Sequence, residues 1–134
     1  MKLLFYSGGT DQNTNKLEAA VHQAIPERQI ELIKKLDNLE ERLRMPVEPD
    51  SIAVLSVSNR KELQKLHELR GLLTETYVIL VLPDQKKSTL ALAHLLLPRF
   101  LSRKDSDFAD LIIVLHKMYL NSQYSQQEEL FQES

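Results

Sequence analysis

Short apolar runs punctuate this chain, and between them the hydrophobic positions recur at helical spacing. Leu3-Leu4-Phe5-Tyr6, Ile52 to Leu55 and Tyr77 to Leu82 are continuously apolar. Strands buried on both faces of a parallel sheet read this way, whereas half-exposed strands alternate. The third run is rich in β-branched residues and is closed by Pro83. Ile30 and Leu32 alternate with Gln29 and Glu31, the pattern of a shorter and partly exposed strand. Arg99 to Arg103 is a further short strand candidate.

Helical stretches separate these runs. Leu17, Val21, Ala24 and Ile25 share one face of a helix predicted over Lys16 to Ile25 and ended by Pro26. Leu36, Leu39 and Leu43 give a short helix, with Asp37 and Glu40 at capping-box spacing and Pro46 and Pro49 beyond its end. Asn59 and Glu62 are a second such pair, opening a helix predicted to run through about Leu72. Ser88 or Thr89 is the expected cap of a helix reaching Leu97 before Pro98. Phe108, Leu111, Ile112, Leu115, Met118 and Tyr119 form the stripe of the last helix. Residues 121–134 are polar and read as a tail or helical extension of a domain spanning 1–120.

Five strand–helix units joined by short connections imply a doubly wound α/β domain: a five-stranded parallel sheet between two helical layers, with right-handed crossovers. The flavodoxin-like strand order 2-1-3-4-5 is the expected one.

Composition narrows the partners. The chain has 134 residues, a net charge of −2 and no cysteine. Its cations occur as scattered pairs such as Lys34-Lys35 and Lys86-Lys87, not as a stripe, which argues against nucleic acid. No apolar run nears the ~18 residues of a membrane span. Absence of cysteine excludes thiolate and disulfide chemistry and fits a reducing cytoplasm. His22, His94 and His116 lie on separate predicted helices with no second ligand at metal spacing, so no metal or cofactor is expected.

Ligands of open parallel sheets bind beyond the carboxyl ends of the strands. Here those ends carry Ser7-Gly8-Gly9, Ser56, Pro83-Asp84 and Arg103. Pro49-Asp50 precedes a central apolar strand, and Phe100-Leu101-Ser102-Arg103-Lys104 leads into a helix with Phe108 and Leu111. In this pattern the chain resembles the receiver domain of two-component response regulators over roughly Lys2 to Leu120. The resemblance implies an acid pair after the first strand, a phosphoacceptor Asp ending the third, a Thr or Ser ending the fourth and a Lys ending the fifth. Ser7 and Gly8 stand where the acids belong, Ser56 where the phosphoacceptor belongs, Pro83 near the Thr/Ser position, and Arg103 keeps a cation at the Lys position. A serine hydroxyl needs an activating base to attack phosphorus, and none is evident. Asp11 and Asp84 are either carboxylates folded back toward Arg103 or solvated loop acids.

Two other motifs compete. Ser7-Gly8-Gly9-Thr10-Asp11 resembles the phosphate loop of PP-loop ATP pyrophosphatases, in which backbone N–H groups and a helix end face a phosphate. That motif runs straight into Ser or Thr and a helix, whereas here Gln12 follows and the apolar periodicity waits until Leu17. His67-Glu68-Leu69-Arg70 resembles the phosphoacceptor box of histidine kinases, but Gly71-Leu72 stands where Thr-Pro belongs and the helix is short.

Leu90 to Leu97 is apolar almost all round, more than a helix on one sheet face needs. Either the tail, through Leu130 and Phe131, covers the surplus, or it meets a protein. Receivers associate through their fourth helix, fifth strand and fifth helix, so the resemblance implies a homodimer or protein partner there, with Leu92 and Leu96 as the expected outer residues. The function expected is a phosphorylation-independent, receiver-like interaction domain without enzymatic activity; the alternative is a small nucleotide- or phosphate-binding protein using Ser7 to Asp11.

Overall fold

A computed structural model describes residues 1–8 and 12–133, with side chains through Gln123. Five strands, β1 (Leu3–Ser7), β2 (Ile30–Ile33), β3 (Ile52–Ser56), β4 (Tyr77–Leu82) and β5 (Phe100–Arg103), form one parallel sheet in the order 2-1-3-4-5. The helices are α1 (Gln12–Ala24), α2 (Leu36–Leu43), α3 (Arg60–Glu68), α4 (Lys87–His94) and α5 (Ala109–Glu133). Residues 121–133 thus continue the backbone helix of α5.

Strand alternation splits the core into two layers. Leu4, Tyr6, Ala53, Leu55, Leu80 and Leu82 pack against α2, α3 and α4 through Leu39, Leu63, Leu66, Ala93 and Leu96. Leu3, Phe5, Ile52, Val54, Ile79 and Val81 face α1 and α5 through Leu17, Val21, Leu111 and Leu115. Both faces of β1, β3 and β4 are covered, which is why their sequences are unbroken apolar runs. Fully burying each large side chain contributes about 1.5–3 kcal/mol.

Local details differ from the sequence pattern for identifiable reasons. α1 begins at Gln12, four residues before Lys16, because Thr14 takes the inward position one turn ahead of Leu17. α2 begins at Leu36 after Lys35, which gives no side-chain cap; Asp37 lies inside the first turn, where it favours the helix dipole. The Asn59 cap forms as expected, its Oδ1 accepting from the Glu62 N–H at 2.9 Å. α3 ends at Glu68 and a separate 3-10 turn, Arg70–Leu72, follows.

Ser88 and Thr89 do not cap α4. That helix starts at Lys87 with Thr89 turned inward, and Asp84 accepts from the Lys86 N–H at 2.9 Å ahead of it. Phe108 precedes α5 and does not belong to it; it adopts φ 63° with its ring buried. Left-handed backbone costs a bulky residue about 1–2 kcal/mol, which burial of the ring offsets.

Candidate functional site at the carboxyl end of the sheet

β1 and β3 are the strands at which the order reverses: the chain leaves β1 for the α1/α5 layer and β3 for the opposite layer. The crevice at this switch point is where a doubly wound sheet receives a ligand. Ser7 and Ser56 are register partners there, both facing the α1/α5 layer. The same row continues through Val81 to Ser102, and Ser102 Oγ lies 3.4 Å from Ser106 Oγ. Three of the four residues in this row carry hydroxyls and none carries a carboxylate.

Ser7 is 1% exposed and its hydroxyl has no hydrogen-bond partner among the described residues. Ser56 is also buried. An ionised carboxylate in either place is costly without a metal or a cation beside it. Among the described residues no group of His, Cys, Asp or Glu is disposed to hold a metal ion.

Arg103 turns away from Ser56. It is half-exposed and its Nε lies 3.7 Å from Asp105, and Gln85 also approaches its guanidinium. Lys104 reaches the crevice instead: its Nζ donates to Ser58 Oγ at 3.5 Å. Sequence reading missed Lys104 because it lies one residue past the strand, where the turn of residues 104–106 and no longer the pleat sets the side-chain direction.

Pro83 follows β4, and Asp84 pairs with α4 and not with Arg103. The Lys86 N–H, and then the Thr89 hydroxyl, hold the Asp84 carboxyl below its ordinary range. Among the described residues Arg103 forms its ion pair with Asp105 and not with Asp84. Asp11 lies outside the described residues, as do Gly9 and Thr10.

A second arrangement braces the crevice from the other layer. Tyr6 Oη donates to Glu62 Oε1 at 2.7 Å, and the Ser58 N–H donates to Glu62 Oε2 at 2.8 Å. Burial, and then the hydrogen bond and charge of Glu62, push the Tyr6 hydroxyl well above the usual tyrosine range. Glu62 thus locks the β3–α3 loop to β1. Its capping spacing was legible, but its bond to Tyr6, across 56 positions of sequence, was not.

Gly8 sits beside this brace, with no positive φ. A Cβ there would meet Tyr6 Oη at 3.4 Å and the Lys34 carbonyl at 3.6 Å, ordinary contacts. Backbone geometry therefore does not demand glycine at this position.

The face along β5 also differs from the sequence expectation. Leu96 is 6% exposed and packs into the core, so it is not an outer residue, while Leu92 is half-buried against the same cluster. Leu95 and Leu97, at the end of α4, are 57% and 86% exposed. Leu97 also adopts φ 51°. Along β5 runs a cleft of about 340 Å³ whose lining mixes apolar side chains such as Leu90, Phe100 and Phe108 with charged ones such as Arg103, Asp107 and Asp110. Leu130 and Phe131 have side chains outside the described residues. His67 is half-buried on α3, and the Arg70 guanidinium donates to its carbonyl at 2.8 Å.

No family model, curated protein or solved structure matches this chain. Among the described residues no helix is long and apolar enough to cross a membrane.

Proposed function

We propose that this chain is a receiver-like interaction domain that binds a second copy of itself through α4, β5 and α5 and works without phosphoryl transfer. The observation that carries this reading is Leu97. A leucine 86% exposed in left-handed backbone is unfavourable twice over, in strain and in hydration. An interface that buries it explains its presence. The cleft along β5 lies on the same face and is large enough for a leucine side chain. A knob and a hole on one face are what a twofold, isologous contact uses, each copy filling the other.

The crevice supports the second half of the reading. Ser7 and Ser56 supply no carboxylate to accept a phosphoryl group, and Asp84 is held at the start of α4. Association on this reading depends on concentration and not on a phosphodonor. The cysteine-free sequence suits a cytoplasmic setting.

Light scattering over a concentration series tests the surface. The wild type is expected to exceed monomer mass as concentration rises, and the double variant Leu95→Ser, Leu97→Asn to remain monomeric. Equal masses for the two proteins would remove this face from the reading.

A second reading, phosphate or nucleotide binding by the Ser7 to Asp11 loop, gains from one observation. α1 opens at Gln12, so a helix amino end follows the loop as closely as phosphate binding requires. Titration with inorganic phosphate and Mg-ATP, using Gly8→Val as the control, separates this reading from the first. No saturable response at millimolar ligand would dismiss it.

A further inference from the structure

The opposite end of the sheet holds a hollow that neither reading uses. Asp50, Tyr77, Arg99, Met118, Asn121 and Ser122 surround a cavity of about 140 Å³. A neighbouring hollow of about 240 Å³ shares Asp50 and Tyr77 and adds Thr74, Glu75 and Thr76. The lining is assembled from the turn before β3, the first residue of β4, the approach to β5, and α5.

Arg99 and Asp50 present exposed charges to this hollow, and Ser122 presents a buried hydroxyl. The Arg99 guanidinium lies 4.9 Å from the centre of the Tyr77 ring and, among the described residues, enters no ion pair. Asp50 enters none either, although it lines the same cavity. Ser122 is 5% exposed, and its hydroxyl has no hydrogen-bond partner among the described residues. A buried helical serine ordinarily bonds back to a carbonyl of the preceding turn. This one borders the cavity.

A guanidinium, a carboxylate and a buried hydroxyl around one hollow match the charges of a dipolar molecule. We propose that this hollow binds a small zwitterion, a free α-amino acid of about alanine size, with its carboxylate on Arg99 and Ser122 and its ammonium toward Asp50. The guanidinium fork matches a carboxylate in two parallel hydrogen bonds. Rotation of Ser122 about χ1 adds a third donor, and the Asn121 amide a fourth. Glu75, in the adjoining hollow, adds negative charge on the ammonium side. The volume equals roughly four to five waters, enough for a short side chain and too little for a nucleotide. So small a ligand, held at a partly open site, binds at about millimolar strength.

The test is an amide NMR titration of the full chain with L-alanine, with acetate and methylammonium as parallel arms. Saturable shifts around Asp50, Tyr77, Arg99 and Ser122 are expected with alanine at a Kd of about 1–10 mM. Acetate and methylammonium should each bind several-fold more weakly. Arg99→Gln is expected to weaken alanine binding about tenfold or more, the loss of a charge-assisted pair. Ser122→Ala tests the hydroxyl separately, and the dispersion of each variant's spectrum reports its folding. Absence of saturable shifts with alanine, or shifts unchanged in both variants, would overturn the site. Acetate binding as well as alanine would overturn the zwitterion in favour of a plain carboxylate.

Discussion

Replacing Leu97 with asparagine is expected to raise the stability of the monomer while weakening its association. The magnitude follows from the geometry at the end of α4. Leucine at φ 51° bears about 1–2 kcal/mol of left-handed strain, most of which asparagine avoids. With 86% of Leu97 exposed, the burial forfeited is small, roughly 0.3 kcal/mol against the ~2 kcal/mol of a fully buried leucine. The Leu97 N–H bond to the His94 carbonyl, at 3.1 Å, is a backbone bond and persists. The net gain is about 0.5–1 kcal/mol, or about 2–4 °C in Tm. Leu97→Gly should gain less, because the unfolded chain recovers about 0.4–1 kcal/mol of backbone freedom.

Urea denaturation at low protein concentration measures the gain without a contribution from association, which would itself add stability by mass action. An unchanged m-value confirms that the same surface unfolds in both proteins. The dissociation constant of the variant should rise about tenfold or more, the loss of one well-packed contact residue. A loss of stability greater than about 0.5 kcal/mol at low concentration would mean that Leu97 packs as part of the fold. A gain in stability with unaltered association would mean that it has no place in an interface.

The other expected outcomes concern the crevice. Ser7→Ala removes a buried hydroxyl that has no partner among the described residues and should be neutral or stabilising by up to about 1 kcal/mol in urea; a clear loss would show that the hydroxyl is in use. Ser56→Asp should destabilise by roughly 2–4 kcal/mol, since it puts a charge in a buried row that lacks a second acid, and should not confer labelling by acetyl phosphate. Tyr6→Phe should cost about 1–2 kcal/mol at neutral pH through loss of the bond to Glu62. It should also flatten the alkaline limb of the stability curve. The Tyr6 pKa is raised on folding, so its contribution is complete below the ordinary tyrosine value of about 10 and is lost as pH rises above it. An alkaline limb identical in the variant would discard that assignment.

Legibility from sequence divided along physical lines. β1, β3 and β4 were readable because both their faces are covered, which leaves no polar residue to break the run. The strand order agrees with the one common among five-stranded doubly wound sheets, which alternation makes the expected class. Thr14 hid the first turn of α1, since a hydroxyl-bearing side chain does not register as an apolar position even when it faces the core. Leu90 to Leu97 hid the outer face of α4 for the opposite reason. With apolar residues nearly all round, no polar side remained to orient the helix, so Leu92 and Leu96 could not be told from Leu95 and Leu97.

The crevice divided in the same way. The replacement of strand-end acids by Ser7 and Ser56 was visible in the sequence, and the register of β1 against β3 brings the two serines side by side. The bond from Tyr6 to Glu62 and the reach of Lys104 to Ser58 join distant segments through loop geometry that no local pattern encodes. The hollow between Asp50, Arg99 and Ser122 is of the same kind, because its residues come from separate loops and a helix and share no motif.

The most direct test of a receiver-like domain that associates without phosphoryl chemistry is sedimentation velocity of the wild type across concentration, with and without Mg²⁺ and beryllofluoride. Reversible self-association of equal strength under both conditions is the expected result. A monomer at every concentration, or a dimer that forms only with beryllofluoride, would contradict it.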